Sequence, residues 1–271
     1  MSDFPSFFRS SDESSPADDA ADRGYAPKPS ARQRVNDQRS RAAAAKKQLP
    51  KVKPSKLRII GGDLRGRGVV YLGDRATRPM KESLREALFN IVGPAIKGRV
   101  AWDLFSGTGI LAIESYSRGA IGSVAIEKNR VFARTIRQSA ERLGLEEQQV
   151  QVLTGDTFRI APRRMTEILE DGETAPWVVY FCPPYSMWTE QTADLFTLLR
   201  TAARLAPVGS LLVTETDKFF DIETLPLGPW DVRPKGNMTL AFLETDEHTA
   251  AQAAEPLPPV APEAAADSPE A

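Results

Sequence analysis

The chain has 271 residues, 41% hydrophobic and 26% charged, the composition of a soluble globular protein with material for one large domain or two small ones. Its formal charge of -1 hides an uneven distribution: residues 1–22 hold six acids and one base, residues 23–58 twelve bases and one acid, and residues 244–271 seven acids with no Lys or Arg, so the segment between is neutral and the basic arm points towards nucleic acid. No apolar run is long enough to cross a bilayer, residues 1–10 lack a basic start followed by an apolar core, and the lone Cys182 and lone His248 exclude an internal disulfide and a His/Cys metal site; a cytoplasmic protein is the simplest reading, no metal ligands are singled out, and a carboxylate-bound metal stays open.

Residues 1–56 are dominated by Ser, Ala, Pro, Asp and Arg, and are expected to be a disordered arm, acidic and then basic. Residues 57–73 read as two short strands around a glycine turn, a basic hairpin from which Arg58, Arg65 and Arg67 project. Residues 81–93 read as a helix with Leu84, Leu88 and Ile91 on one stripe and Gly93 as its stop. From there strand and helix alternate: VAWDLF, then the helix ILAIESYSRG, then SVAIE, then a helix starting behind Asn129 as its N-cap. Strands follow at Val150–Leu153 and Trp177–Phe181, the latter a continuous apolar run of the kind buried on both faces, which Pro183 and Pro184 stop. A helix over 190–205 turns Leu195, Leu198, Leu199 and Leu205 inward, a strand covers 210–216, and a hairpin at about 230–233 and 239–244 closes the edge. This order predicts an α/β domain over 57–244, a mostly parallel sheet with helices on both faces and an antiparallel hairpin at its end. The Ala-, Pro- and Glu-rich residues 245–271 are expected to be an unstructured acidic tail.

The chemistry concentrates where strands end. Asp103–Gly109, DLFSGTG, sits at the first strand-to-helix turn, where Gly107 and Gly109 let the backbone approach a ligand. A carboxylate precedes those glycines, which suits a cationic or amine-bearing ligand better than a pyrophosphate. Glu127, at the end of the second strand, is placed to accept both hydroxyls of a ribose, and Asp156, after the third, to approach an adenine amino group. Singly, Glu127 reads as a solvated carboxylate and Asp156 as a turn former. Together, in this order, they describe a pocket for a positively charged nucleoside, and S-adenosylmethionine fits. The turn Cys182-Pro183-Pro184-Tyr185 at the sheet rim suits an exocyclic amine on a base: the side chain at 182 and the Pro183 carbonyl accept its N–H bonds, and Tyr185 stacks on the ring.

The series LRIIGGDLRGRG, TRPMKESLREALFNIVG, DLFSGTGILAIESYSRGA, CPPY and KGNMT, spread over about residues 57–243, resembles the bacterial 16S ribosomal RNA guanine-N2 methyltransferases of the guanine-966 family. The resemblance implies a Rossmann-like class I methyltransferase fold of seven strands with a small N-terminal β-hairpin extension, S-adenosylmethionine as methyl donor, and a monomer acting on 16S rRNA within an assembling small subunit. It assigns Asp103, Gly107 and Gly109 to the methionine end of the donor, Glu127 to the ribose, Asp156 and Thr157 to the adenine side, Phe105 and Lys128 to the cofactor pocket, and Thr77, Arg78 and Glu86 to a segment covering the cofactor. It assigns the hairpin arginines to RNA phosphates. Met80 and Ser83 depart from the family, which has Thr and Arg there, and so does Cys182, where Asp, Asn or Ser is usual. A neutral thiol is a weak acceptor. Two other readings stay open on the residues alone: a catalytically silent RNA-binding or assembly factor that keeps the donor pocket, and a DNA adenine-N6 methyltransferase, which uses a similar turn.

Overall fold

Five of the predicted strands form one parallel array. The computed structural model describes residues 54–74 and 77–255, so the expectations for the arm before residue 54 and for residues 256–271 lie outside the described residues. The main sheet contains β3 (Val100–Asp103), β4 (Gly122–Glu127), β5 (Val150–Thr154), β6 (Trp177–Phe181), β7 (Leu211–Asp217), β8 (Asp231–Lys235) and β9 (Met238–Glu244), in the order β5-β4-β3-β6-β7-β9-β8. The first five run parallel, while β9 pairs antiparallel with both β7 and β8. The order reverses beside β3, so the carboxyl ends of β3, β4 and β6 open onto a crevice.

Alternate residues of each strand feed two separate cores. Ala101, Ala125, Val178, Tyr180 and Val213 face helices α1 (Glu82–Val92), α2 (Ile110–Ser117) and α3 (Arg130–Leu143). Trp102, Val124, Trp177, Val179 and Phe181 face α4 (Thr157–Glu170) and, beyond the short α5 (Met187–Glu190), α6 (Thr192–Leu205). Asn129 caps α3 as expected, its side chain accepting from the backbone of Val131 and Phe132. None of the described helices is long and apolar enough to cross a membrane.

Several expectations need correction. The buried stripe of α1 is Leu84, Arg85, Leu88, Phe89 and Val92, and Ile91 is 41% exposed, because the helix packs at a 3-4 spacing that skips it. Helix α4 was not expected at all: Pro162 lies inside it, yet Asp156 caps its start and Ala161 and Met165 anchor it. The acidic tail does not become irregular after Glu244. Asp246 caps α7 (Glu247–Ala254) by accepting from Thr249 N at 2.7 Å, and Arg200 of α6 donates to the Gln252 carbonyl at 2.6 Å.

The amino-terminal hairpin, β1 (Ser55–Arg58) and β2 (Gly68–Tyr71), starts two residues earlier than the sequence suggested and is fixed to the body. Ile59 and Val69 enter the first core, and the Ser117 hydroxyl donates to the Gly61 carbonyl at 2.7 Å. Arg67 does not project freely; its guanidinium donates to the Leu143 and Arg142 carbonyls, both at 2.9 Å, and closes the carboxyl end of α3. Beneath the hairpin a buried ion cluster joins two helices. Arg85 Nε donates to Glu114 Oε2 at 2.9 Å, and Arg118 donates to Glu114 Oε1 at 2.8 Å while its guanidinium lies 4.5 Å over the Phe89 ring.

Candidate functional site

The carboxyl ends of β3 to β7 border a cleft of about 740 Å³. Its floor begins at Asp103, the last residue of β3 and only 1% exposed. Burial pushes that carboxyl up to about 7, with the Glu127 charge adding to the rise and backbone N–H groups opposing it. Its Oδ2 is buried without a hydrogen-bond partner. A buried acceptor left open costs on the order of 1–3 kcal/mol, and a cationic donor entering the cleft would remove that cost.

The glycine turn follows directly. Gly107 and Gly109 take φ of 53° and 73°, and a Cβ on either would lie 2.7 Å from Thr77 Cγ2 or 2.5 Å from Ile136 Cγ2, so only glycine fits. Glu127, at the end of β4, clips the turn in place: Oε2 accepts from Gly107 N at 2.8 Å and Oε1 from Asn129 N at 2.7 Å, while burial raises its carboxyl. At the end of β5, Asp156 caps α4 and holds Lys128 at 3.6 Å, and the Thr157 hydroxyl is buried without a partner. Phe105 packs edge-on against Phe158 and Phe181. The opposite rim carries Cys182, Pro183, Pro184 and Tyr185, and Thr77 with Arg78 covers one side.

Most of the residues singled out in the sequence therefore converge on one cleft. Gly109 serves by turning the chain into α2 rather than by lining it, since its φ is left-handed at the helix start. Glu86 is a correction: it is exposed on α1 and does not border the cleft, because the buried face of that helix is set by Arg85 and Leu88. Arg58, Arg65 and Arg67 also lie outside it; Arg58 pairs with Glu82 and Arg67 caps α3.

Glu215 is a titratable residue of the cleft that the sequence reading missed. Glu215, in the second half of β7, is 6% exposed, and its Oε1 accepts from the Tyr185 hydroxyl at 2.7 Å while its backbone carbonyl accepts from Trp188 Nε1 at 3.2 Å. Burial raises its carboxyl, against the Tyr185 hydrogen bond and the Arg78 charge. Burial, then the Glu215 charge, pushes the Cys182 thiol up, so position 182 presents a neutral sulfur. The only signal in LLVTETD was an acid near the carboxyl end of a strand, and the Thr residues flanking it and Asp217 after it hide the apolar run that singled out Asp103 and Glu127.

The cleft has the room and the acceptors for S-adenosylmethionine, since the Asp103, Glu127, Asp156 and Thr157 side chains all come from residues that border it. Comparisons with known proteins agree with this geometry. Residues 57–244 match the model of a family described as conserved hypothetical protein 95. A ribosomal RNA small subunit methyltransferase D of Haemophilus influenzae is 28% identical over 173 residues, covering 63% of this chain and 83% of that protein. The protein of the same name from Escherichia coli K12 is 29% identical over 129 residues, 48% of this chain and 60% of its own. A solved hypothetical protein of Thermus thermophilus superposes with a TM-score of 0.55 at 28% identity, covering 70% of this chain and 99% of that one.

Proposed function

Since the chain belongs to the family described as conserved hypothetical protein 95, whose model matches 57–244, we propose that this domain is an S-adenosylmethionine-dependent methyltransferase acting on the exocyclic N2 amine of a guanine in 16S rRNA of the small ribosomal subunit. The names of the two relatives support the RNA substrate. The observation that carries the chemistry is the cleft in which Asp103, Glu127 and Asp156, at three successive strand ends, face the twin-proline turn across the sheet rim. On this reading the chain acts as a monomer in the cytoplasm, where small subunits assemble.

S-adenosylmethionine supplies a methyl group on a positively charged sulfur. Asp103 would hold its amino group, with the Gly107–Gly109 turn admitting the backbone, Glu127 would hold the ribose hydroxyls, and Phe105, Lys128, Asp156 and Thr157 the remainder of the nucleoside side. Thr77 and Arg78 cover that pocket. The Pro183 carbonyl orients the target amine, and Tyr185, with its hydroxyl tied to Glu215, offers its ring to a base swung out of its helix. Arg58, Arg65 and the arm preceding them meet phosphates, which position the RNA without reading its sequence.

The experiment is transfer of labelled methyl groups to small subunits from a strain lacking the modification, followed by digestion to nucleosides. Labelled N2-methylguanosine is expected, and labelled N6-methyladenosine would overturn the assignment. Cys182, where a stronger acceptor is usual, favours one second reading, an RNA-binding factor that keeps the donor pocket without transferring. That reading predicts donor binding with no label in the RNA.

A further inference from the structure

We propose that Glu215 is the side chain that grips the target base, filling the acceptor role that the sulfur at 182 performs poorly, and that it selects guanine over adenine; the proposal rests on the methyl-transfer reading above. Position follows from the sheet. The parallel ladder of β6 and β7 pairs Phe181 with Thr214, and the next step along places Cys182 beside Glu215. Neighbours in register on parallel strands point to the same face, so the carboxylate stands next to the site where the acceptor was expected. Both residues line the cleft together with Pro183, Pro184 and Tyr185.

Chemistry selects the ligand. The Tyr185 hydroxyl fixes one oxygen of Glu215, and a carboxylate offers about four acceptor positions, so capacity remains for a base edge. The Watson–Crick edge of guanine presents N1–H and N2–H side by side as two donors, matching a carboxylate. Adenine places a bare N1 acceptor beside its amine and meets the same carboxylate with repulsion. A buried carboxylate whose hydrogen-bond partner is a neutral hydroxyl is costly to hold ionised, and two further N–H donors would relieve that cost. Burial already raises this carboxyl, so it also takes up a proton readily. In the transfer step the N2 lone pair forms the new N–C bond as the sulfonium carbon–sulfur bond breaks and leaves its electron pair on sulfur. One N2 proton then passes to Glu215 and on to solvent.

Two measurements test this. The first titrates the full chain, without donor, with guanosine and adenosine and follows binding by NMR. Wild type is expected to prefer guanosine by at least about fivefold, and Glu215→Gln to lose or invert that preference, since an amide can donate to adenine N1. The second follows single-turnover methyl transfer to unmodified small subunits. Glu215→Gln is expected to fall by about fiftyfold or more with donor affinity unchanged, and adding Cys182→Asp to it to recover at least about fivefold by returning a carboxylate to the neighbouring strand. With donor saturating at every pH, so that protonation of Asp103 does not limit binding, the wild-type rate should fall in acid as Glu215 is protonated, and the Gln variant should lose that dependence. A Gln variant that keeps both the guanosine preference and a rate within about threefold of wild type overturns the proposal. A wild type that prefers guanosine but transfers nothing refutes the methyl-transfer reading while leaving Glu215 as the guanine acceptor.

Discussion

Replacing Asp103 with Asn should make the ligand-free protein more resistant to alkali and at the same time disable it. The carboxyl rises from an ordinary 3.8 to about 7 in the fold, chiefly by burial. A raised acid favours the folded state while it is protonated, and that contribution is lost as pH climbs towards and through the folded value. Between about pH 5 and pH 8 the linkage amounts to roughly 2–3 kcal/mol against the wild-type fold, which Asn does not suffer. Asn leaves an unpaired buried amide that costs about 1–3 kcal/mol, but this is the same at both pH values and cancels in the difference. Thermal melts of both proteins should therefore show the variant gaining about 5–10 °C on wild type over that interval. Donor affinity, by calorimetry, should fall at least about tenfold in the variant, and wild-type affinity should weaken in acid below about pH 7, because a cation is bound by the ionised carboxylate. A melting-temperature gap that does not change with pH would refute the reasoning, since it would mean that Asp103 titrates normally and its burial is not felt.

Other outcomes follow from the same structure. Cys182→Asn or Cys182→Asp, assayed as labelled-methyl transfer, should retain or raise the rate, because each replaces a neutral sulfur by a better acceptor; a large loss in either would assign the thiol a specific role. Arg85→Met should lower stability to urea by about 3 kcal/mol, because Glu114 keeps only Arg118 as a cationic partner while buried. Deleting residues 1–50 should weaken RNA binding and flatten its dependence on salt, since fewer phosphates would then be neutralised; an unchanged slope in binding against salt concentration removes the arm from the interface.

What could be read from the sequence, and what could not, divides along physical lines. Strands β3, β4 and β6 were legible because they are apolar on both faces, and Asp103 and Glu127 because an acid closing such a run has few structural uses. Helix α4 was hidden by Pro162, whose penalty is overridden by the Asp156 cap and by Ala161 and Met165 in the core. Helix α7 was hidden by composition: Ala and Glu dominate the tail, yet Asp246 and Thr249 form a local cap that composition does not register. Arg85 and Glu114 are 29 positions apart, and a pair of that kind is decided by tertiary packing that no local pattern encodes. Arg67 looked like a surface cation because nothing in its neighbourhood of sequence reveals the carbonyls of Leu143 and Arg142 that it caps.

The fold handles its buried acids in two ways, and the difference separates scaffold from site without reference to any relative. Glu114 is also raised by burial, but guanidinium groups oppose the rise, Arg85 on one oxygen and Arg118 on the other, so its charge has partners within the protein. Asp103 and Glu127 lean instead on backbone N–H groups, one Asp103 oxygen is left unbonded, and burial raises both. Glu215 rests on a neutral hydroxyl. These groups make the ligand-free cleft costly to hold ionised, and a cationic nucleoside beside Asp103 or a pair of N–H donors on Glu215 relieves that cost selectively in the bound state. Binding should therefore raise the melting temperature more at neutral pH, where these acids must carry charge, than in mild acid, where protonation has already relieved them.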